Sequence, residues 1–256
     1  MTQEWQAEYS EIAFQQDAAA AMKGDISRGL IELITNADDA YSGNEGPIYI
    51  KIEAGDDVYP LRVSVSDKAK GLDFDGLKKA FTKIGGLTSL AAEGKVSRGY
   101  LGRGAKDVAI FGAATFEAIK DGKYSSIILN KNGKGRDLVE DQTATSENYA
   151  SLNLVPGENG LKATILCNSK ETLKSTSDLV RKLNTVSQLR DLNKRRKVVL
   201  EDLRKSKSEF ELTNPLPQGD EVLRESITLE GYEGTATLVV RKLHEIQSSQ
   251  VSEYSA

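Results

Sequence analysis

Between residues 26 and 41 the apolar positions recur with a helical period. Leu30, Leu33, Ile34, Ala37 and Tyr41 form one stripe at about 100° per residue, while Glu32, Asn36 and Asp39 fall at i, i+4 and i+7 on another. Asp25 or Ser27 offers an N-cap, and Ser42, Gly43 and Asn44 stop the helix. The period then shortens to two. Residues 48–52 and 61–65 read as strands, the second alternating as Leu61, Val63, Val65 before a loop at 67–71, and Asp73 caps a helix through Phe81. Upstream, a Gln- and Ala-rich stretch predicts a short helix or arm ending at Gly24.

Residues 84–104 are rich in Gly, Ser and Thr and longer than an ordinary connector, which makes them a candidate lid. A helix over about 103–111 follows. Strands are then expected at 115–119, 125–129, 149–154 and, after a turn at 156–160, 161–167. A helix through about Leu192 leads to the basic run Arg190, Lys194, Arg195, Arg196, Lys197 and three further strands, at 197–201, 222–229 and 235–242, with a polar tail from Gln247. The pattern predicts an α+β protein: a two-layer α/β sandwich over residues 25–190 behind an N-terminal arm (1–24), with a partial second α+β unit over 191–256.

Composition narrows the chemistry. With 256 residues, 39% hydrophobic and 28% charged, the chain can bury a sizeable core. A net charge of −4 argues against a surface built to grip phosphate backbones. Cys167 is the one cysteine, so an intramolecular disulfide and a cysteine zinc site lack material; His244, the one histidine, lies near the C-terminus with no Ser or Cys partner implied by spacing, which leaves a triad or a histidine-rich metal site without material. No signal peptide, lipidation motif or membrane-spanning run is evident, and the expected location is cytoplasmic.

Three segments carry the remaining chemistry. The first is the oxygen-rich row Glu32, Asn36, Asp39. The second is Asp67, at the end of an apolar strand and followed by Gly71. The third is Gly99-Tyr100-Leu101-Gly102-Arg103-Gly104, a G-x-x-G-x-G run ahead of a helix that Ala105 and Lys106 open; its N–H groups could approach an anion. That spacing differs from the G-x-G-x-x-G of a dinucleotide fold.

In this order the segments resemble the N-box (Glu32 to Ala40), the D-x-G-x-G box (Asp67 to Gly71) and the lid box (Gly99 to Gly104) of the GHKL ATPases, the superfamily of gyrase B, the large heat-shock chaperone, histidine kinases and MutL. The resemblance covers roughly residues 20–190 and leans toward the MORC and heat-shock chaperone branch. It implies the Bergerat ATP-binding fold, with ATP and Mg²⁺ as cofactors, hydrolysis to ADP and phosphate, and a nucleotide-dependent homodimer whose downstream client stays open.

Carried over, Glu32 resembles the general base for the attacking water, Asn36 the Mg²⁺ ligand, Asp39 an acid lining the nucleotide pocket, and Asp67 the acceptor for the adenine amino group. Gly71, Gly99, Gly102, Arg103, Gly104, Ala105 and Lys106 resemble nucleotide-binding positions of the two glycine boxes. The chemistry agrees: a carboxylate accepts a proton, a neutral amide oxygen ligates Mg²⁺ without adding repulsion, and an acceptor-only group selects an amino donor. Ala69 stands where the family has its first glycine, and a methyl at positive φ would be costly. Gly160 is followed by Leu161 where the family has threonine, with Thr164 three residues on, and Lys242 is a candidate phosphate sensor. The main alternative is an ATP-binding switch without turnover; a histidine kinase is disfavoured, because it needs a phosphoacceptor histidine ahead of the ATP domain and none precedes His244.

Overall fold

The computed structural model describes residues 10–82, 104–215, 219–228 and 235–243. The candidate lid, with Gly99, Gly102 and Arg103, lies outside them, apart from its last residue Gly104. Helix α1 (Glu11–Met22) is capped by Ser10, whose hydroxyl accepts from the Ala13 N–H at 3.2 Å. Phe14, Ala18 and Met22, spaced by four, are buried in the main core, so residues 11–22 pack as part of the domain. Helix α2 (Ile26–Ala40) starts at Asp25, which accepts from the Ser27 N–H at 3.1 Å, and buries the predicted stripe of Leu30, Leu33, Ile34 and Ala37.

Strands β1 (Ile48–Ala54) and β2 (Leu61–Asp67) follow as expected, then α3 (Phe74–Thr82). The helix expected over 103–111 is shorter: α4 (Gly104–Asp107) is one turn, continued as a 3₁₀ turn over Val108–Phe111. Next come β3 (Gly112–Lys120) and β4 (Lys123–Asn130). Residues 135–143, which no pattern marked, form β5 (Gly135–Thr143); this strand is almost wholly solvent-exposed and so carries no apolar alternation to read.

The strand expected over 149–154 is instead helix α5 (Ser146–Ser151). Thr145 and Asn148 cap it reciprocally, the Thr145 hydroxyl accepting from the Asn148 N–H and Asn148 Oδ1 from the Thr145 N–H at 2.9 Å. Tyr149 and Leu152, three apart, then face Ile119 in a small satellite core. Strand β6 (Gly160–Cys167) precedes a 3₁₀ turn (Lys170–Thr172). The single helix expected up to Leu192 is two, α6 (Thr176–Thr185) and α7 (Ser187–Arg195), separated by extended Val186.

Strands β7 (Val198–Asp202) and β8 (Ser208–Glu211) complete an eight-stranded sheet in the order β5-β4-β3-β6-β2-β1-β7-β8. Every adjacent pair is antiparallel except β1 and β7. The fold is α+β, a two-layer sandwich. Residues 191–256 are divided: β7 and β8 belong to the large sheet, while β9 (Gly219–Thr228) and β10 (Thr235–Leu243) pair in a separate two-stranded sheet. Ile48, Ile50 and Ile52 of β1, Val63 and Val65 of β2, and Val198 and Leu200 of β7 share one core with α1, α2, α6 and α7. Helix α2 lies against β2, and α4 against both α1 and α2.

Candidate functional site

Several of the predicted residues lie on α2 or beside it. Glu32, Asn36 and Asp39 share the helix face that the core stripe leaves over; Asn36 is exposed, and Glu32 and Asp39 are half-buried. Near the middle of α2, Gly104 sits directly on Glu32: a Cβ built on this glycine would lie 2.2 Å from Glu32 Oε2. The last glycine of the glycine-rich run and the candidate base therefore touch, although 72 positions separate them in the chain. Any side chain at residue 104 would displace the carboxylate.

Toward the C-terminal end of α2 lies Asp67, the last residue of β2. It is paired with Ile48 on β1 and Leu161 on β6, so it shares the face of Val65 and Val63 that turns toward the helices. The register puts Thr164 opposite Ser64 and Thr115, on the other face, which separates this threonine from Asp67. The Tyr41 hydroxyl, at the end of α2, accepts the Lys68 N–H at 2.8 Å and donates to the Pro47 carbonyl at 2.6 Å, tying the helix to the turn after Asp67. Nine residues separate Glu32 from Tyr41, roughly 13 Å at 1.5 Å per residue, comparable to the reach of an extended nucleoside triphosphate.

The electrostatics distinguish the two carboxylates. Asp67 is only 3% exposed. Burial pushes its carboxyl up to about 7, while the N–H donors of Ala69 (to Oδ1 at 3.0 Å) and Leu161, and the charge of Arg196, favour ionisation. Holding a carboxylate out of water is costly, and such groups concentrate at functional sites. Glu32 is also raised above the ordinary carboxylate range, chiefly by burial and secondarily by the negative charge of Asp107. Asp107, buried at the end of α4, was not singled out in the sequence. Its position one turn beyond Gly104 carries it toward Glu32.

Ala69 is not among the residues of positive φ, so its methyl meets no backbone penalty. Gly71 does need to be glycine: its φ is +60°, and a Cβ there would lie 2.1 Å from the Ile119 carbonyl oxygen. Its role in this structure is to let the β2–α3 loop pass over the ends of β3 and β6. Lys106 is 2% exposed, and burial lowers its pKa to about 8, partly offset by Asp107. It lines a cavity of about 560 Å³ between α3 and the β4–β5 hairpin, with Phe81, Ile127, Leu129 and Arg136. Gly104 and Lys106 are two apart on a helical turn and so point to opposite sides of α4, Gly104 to Glu32 and Lys106 to this cavity. Ala105, between them, is buried.

No protein-family model and no curated protein matches the chain. The functional reading therefore stands on the residues themselves. Among the described residues, no group of three or more His, Cys, Asp and Glu side chains is arranged to hold a metal ion. A Mg²⁺ held by one amide oxygen and by ligand phosphates asks for no such cluster. Lys242 is exposed on β10, in the separate two-stranded sheet. No helix among the described residues is long and apolar enough to cross a membrane.

Proposed function

We propose that this chain binds ATP with Mg²⁺ along α2 and hydrolyses it, in the manner of the GHKL ATPases that its three boxes resemble. The observation that carries the reading is Asp67. A carboxylate buried at a strand end, bonded by backbone N–H groups and tied to the end of α2 through Tyr41, is a specific acceptor for an amino group. Adenine carries such a group where guanine carries a carbonyl. The base then lies at the Tyr41 end of α2, and the phosphates reach Asn36 and Glu32, beside which Gly104 sits.

Of the residues that would hold Mg²⁺, Asn36 fits best, because it is exposed on the shared face and one turn from Glu32. The ion would neutralise charge on the phosphates. Glu32 would take the proton of the attacking water, a role suited to a carboxylate whose pKa burial has raised. Measuring phosphate release beside nucleotide binding tests the proposal: an ATPase shows both with saturable dependence on ATP, and binding without release reduces it to an ATP-operated switch.

The resemblance also implies association of two copies when nucleotide is bound. In sedimentation velocity with a non-hydrolysable ATP analogue and Mg²⁺, the sedimentation coefficient is expected to rise with protein concentration toward that of a dimer. A monomer at all concentrations, with the analogue shown to be bound, removes the dimer from the account.

A further inference from the structure

We infer that Arg196 and Tyr41 form a positioning clamp that sets the Asp67 turn and thereby the preference for adenine over guanine. This rests on the nucleotide reading above and adds to it two residues that no box contains. Arg196 follows α7 at the entrance to β7, and its side chain is 4% exposed. Nε donates to Asp38 Oδ1 at 2.5 Å, and Nη1 donates to the carbonyls of Asn44 and Gly46 at 3.1 and 3.2 Å. The guanidinium lies over the Tyr41 ring, 4.3 Å from its centroid. Asp38 takes a second bond from Arg195 Nη2 at 2.7 Å. One guanidinium thus gathers the end of α2, the loop into β1 and the ring of Tyr41.

The hydroxyl of that ring is where the clamp reaches the Asp67 turn. With its ring held, the Tyr41 hydroxyl has one direction left, between the Pro47 carbonyl and the Lys68 N–H. The Lys68 N–H belongs to the peptide that follows Asp67, so fixing it fixes the rotation of the turn and the aim of the carboxylate. The same geometry is electrostatic. Arg196 acts on Asp67 through its charge and favours the ionised form, while Tyr41, whose hydroxyl burial pushes up to about 12, is neutral near pH 7. Lys68 turns aside to Glu158, at 3.0 Å. A plain structural clamp would stabilise the fold; this one also determines what the site prefers to bind.

The test is calorimetric titration of the full chain with Mg·ATP and Mg·GTP at several pH values from 5.5 to 8.5. The proteins are wild type, Tyr41→Phe, Arg196→Gln and Arg196→Lys, with Asp67→Asn as reference. Tyr41→Phe keeps the ring and loses one hydroxyl, so it should fold even where Arg196→Gln does not. It should weaken ATP about tenfold, the scale of one buried hydrogen bond, and leave GTP little changed, narrowing the preference. Arg196→Gln should move the pH midpoint of ATP binding upward, because Asp67 loses the cation that favours its ionised form, and Arg196→Lys should restore the midpoint. If wild type prefers ATP and Asp67→Asn abolishes that preference, but Tyr41→Phe keeps both affinity and preference, the clamp is wrong and the nucleotide reading survives. If wild type has no preference for ATP, both fall together.

Discussion

Replacing Glu32 with Ala is expected to lower ATP turnover by roughly 10²–10⁴-fold while changing ATP affinity by no more than a few fold. Hydrolysis needs a base within hydrogen-bond reach of a water in line with the γ-phosphate, and Glu32 sits one helical turn from Asn36 on the same face. Gly104 packs on its carboxylate, so the last residue of the glycine-rich run lies beside the candidate base. The raised pKa of Glu32 adds a pH signature. The base works ionised, so turnover should fall as pH drops through a midpoint above the usual carboxylate range, and the fall should vanish from the residual rate of Glu32→Ala. Asn36→Ala should behave differently, losing binding and turnover together because the phosphates lose their ion. Steady-state phosphate release beside calorimetry separates the two. Unchanged turnover in Glu32→Ala removes the residue from catalysis and leaves ATP binding alone.

Asp67→Asn has an equally large expected effect, in two opposed directions. ATP binding should weaken by on the order of 1.5–3 kcal/mol, the range for a hydrogen bond to a charged group. Stability of the unliganded protein should move the other way. The folded Asp67 carboxyl titrates at about 7 against an ordinary value of 3.8, so folding favours its neutral form. The stability it contributes is complete below about pH 4 and is lost as pH rises through about 7, at most about 4 kcal/mol for a shift of this size. Asn cannot ionise and avoids that loss. Chemical denaturation of the two proteins at pH 5 and pH 8 should therefore show Asp67→Asn gaining on wild type at the higher pH. An equal difference at both values would mean that Asp67 is ionised without strain in the fold, and the argument from its burial would fail.

Much of the candidate site was legible because it is helical. The period that marked Leu30, Leu33, Ile34 and Ala37 as core also placed Glu32, Asn36 and Asp39 together, and the structure keeps that division. Asp67 was legible as a strand end. What sequence could not supply was contact between distant segments. Nothing near Asp38 announces Arg196, 158 residues away, and nothing near Glu32 announces Asp107; both depend on how α7 and α4 pack. The strands β5 and β8 escaped for another reason. They are edges with mostly exposed polar side chains, held by backbone bonds that leave no hydrophobic pattern. The 149–154 segment misled because Tyr149, Leu152 and Leu154 supply apolar bulk that suits strand or helix, and the Thr145–Asn148 cap decided for the helix.

Whether a buried carboxylate on β2 and the polar face of α2 together hold Mg·ATP can be decided by one titration series on the unaltered chain. Isothermal calorimetry with ATP and with GTP, each in Mg²⁺ and in EDTA, should give saturable one-site binding of ATP that weakens strongly without the metal. GTP should bind at least about tenfold more weakly, the smaller end of what losing a charge-assisted hydrogen bond implies. No heat of binding with ATP in Mg²⁺, or equal affinities for ATP and GTP, would contradict the account.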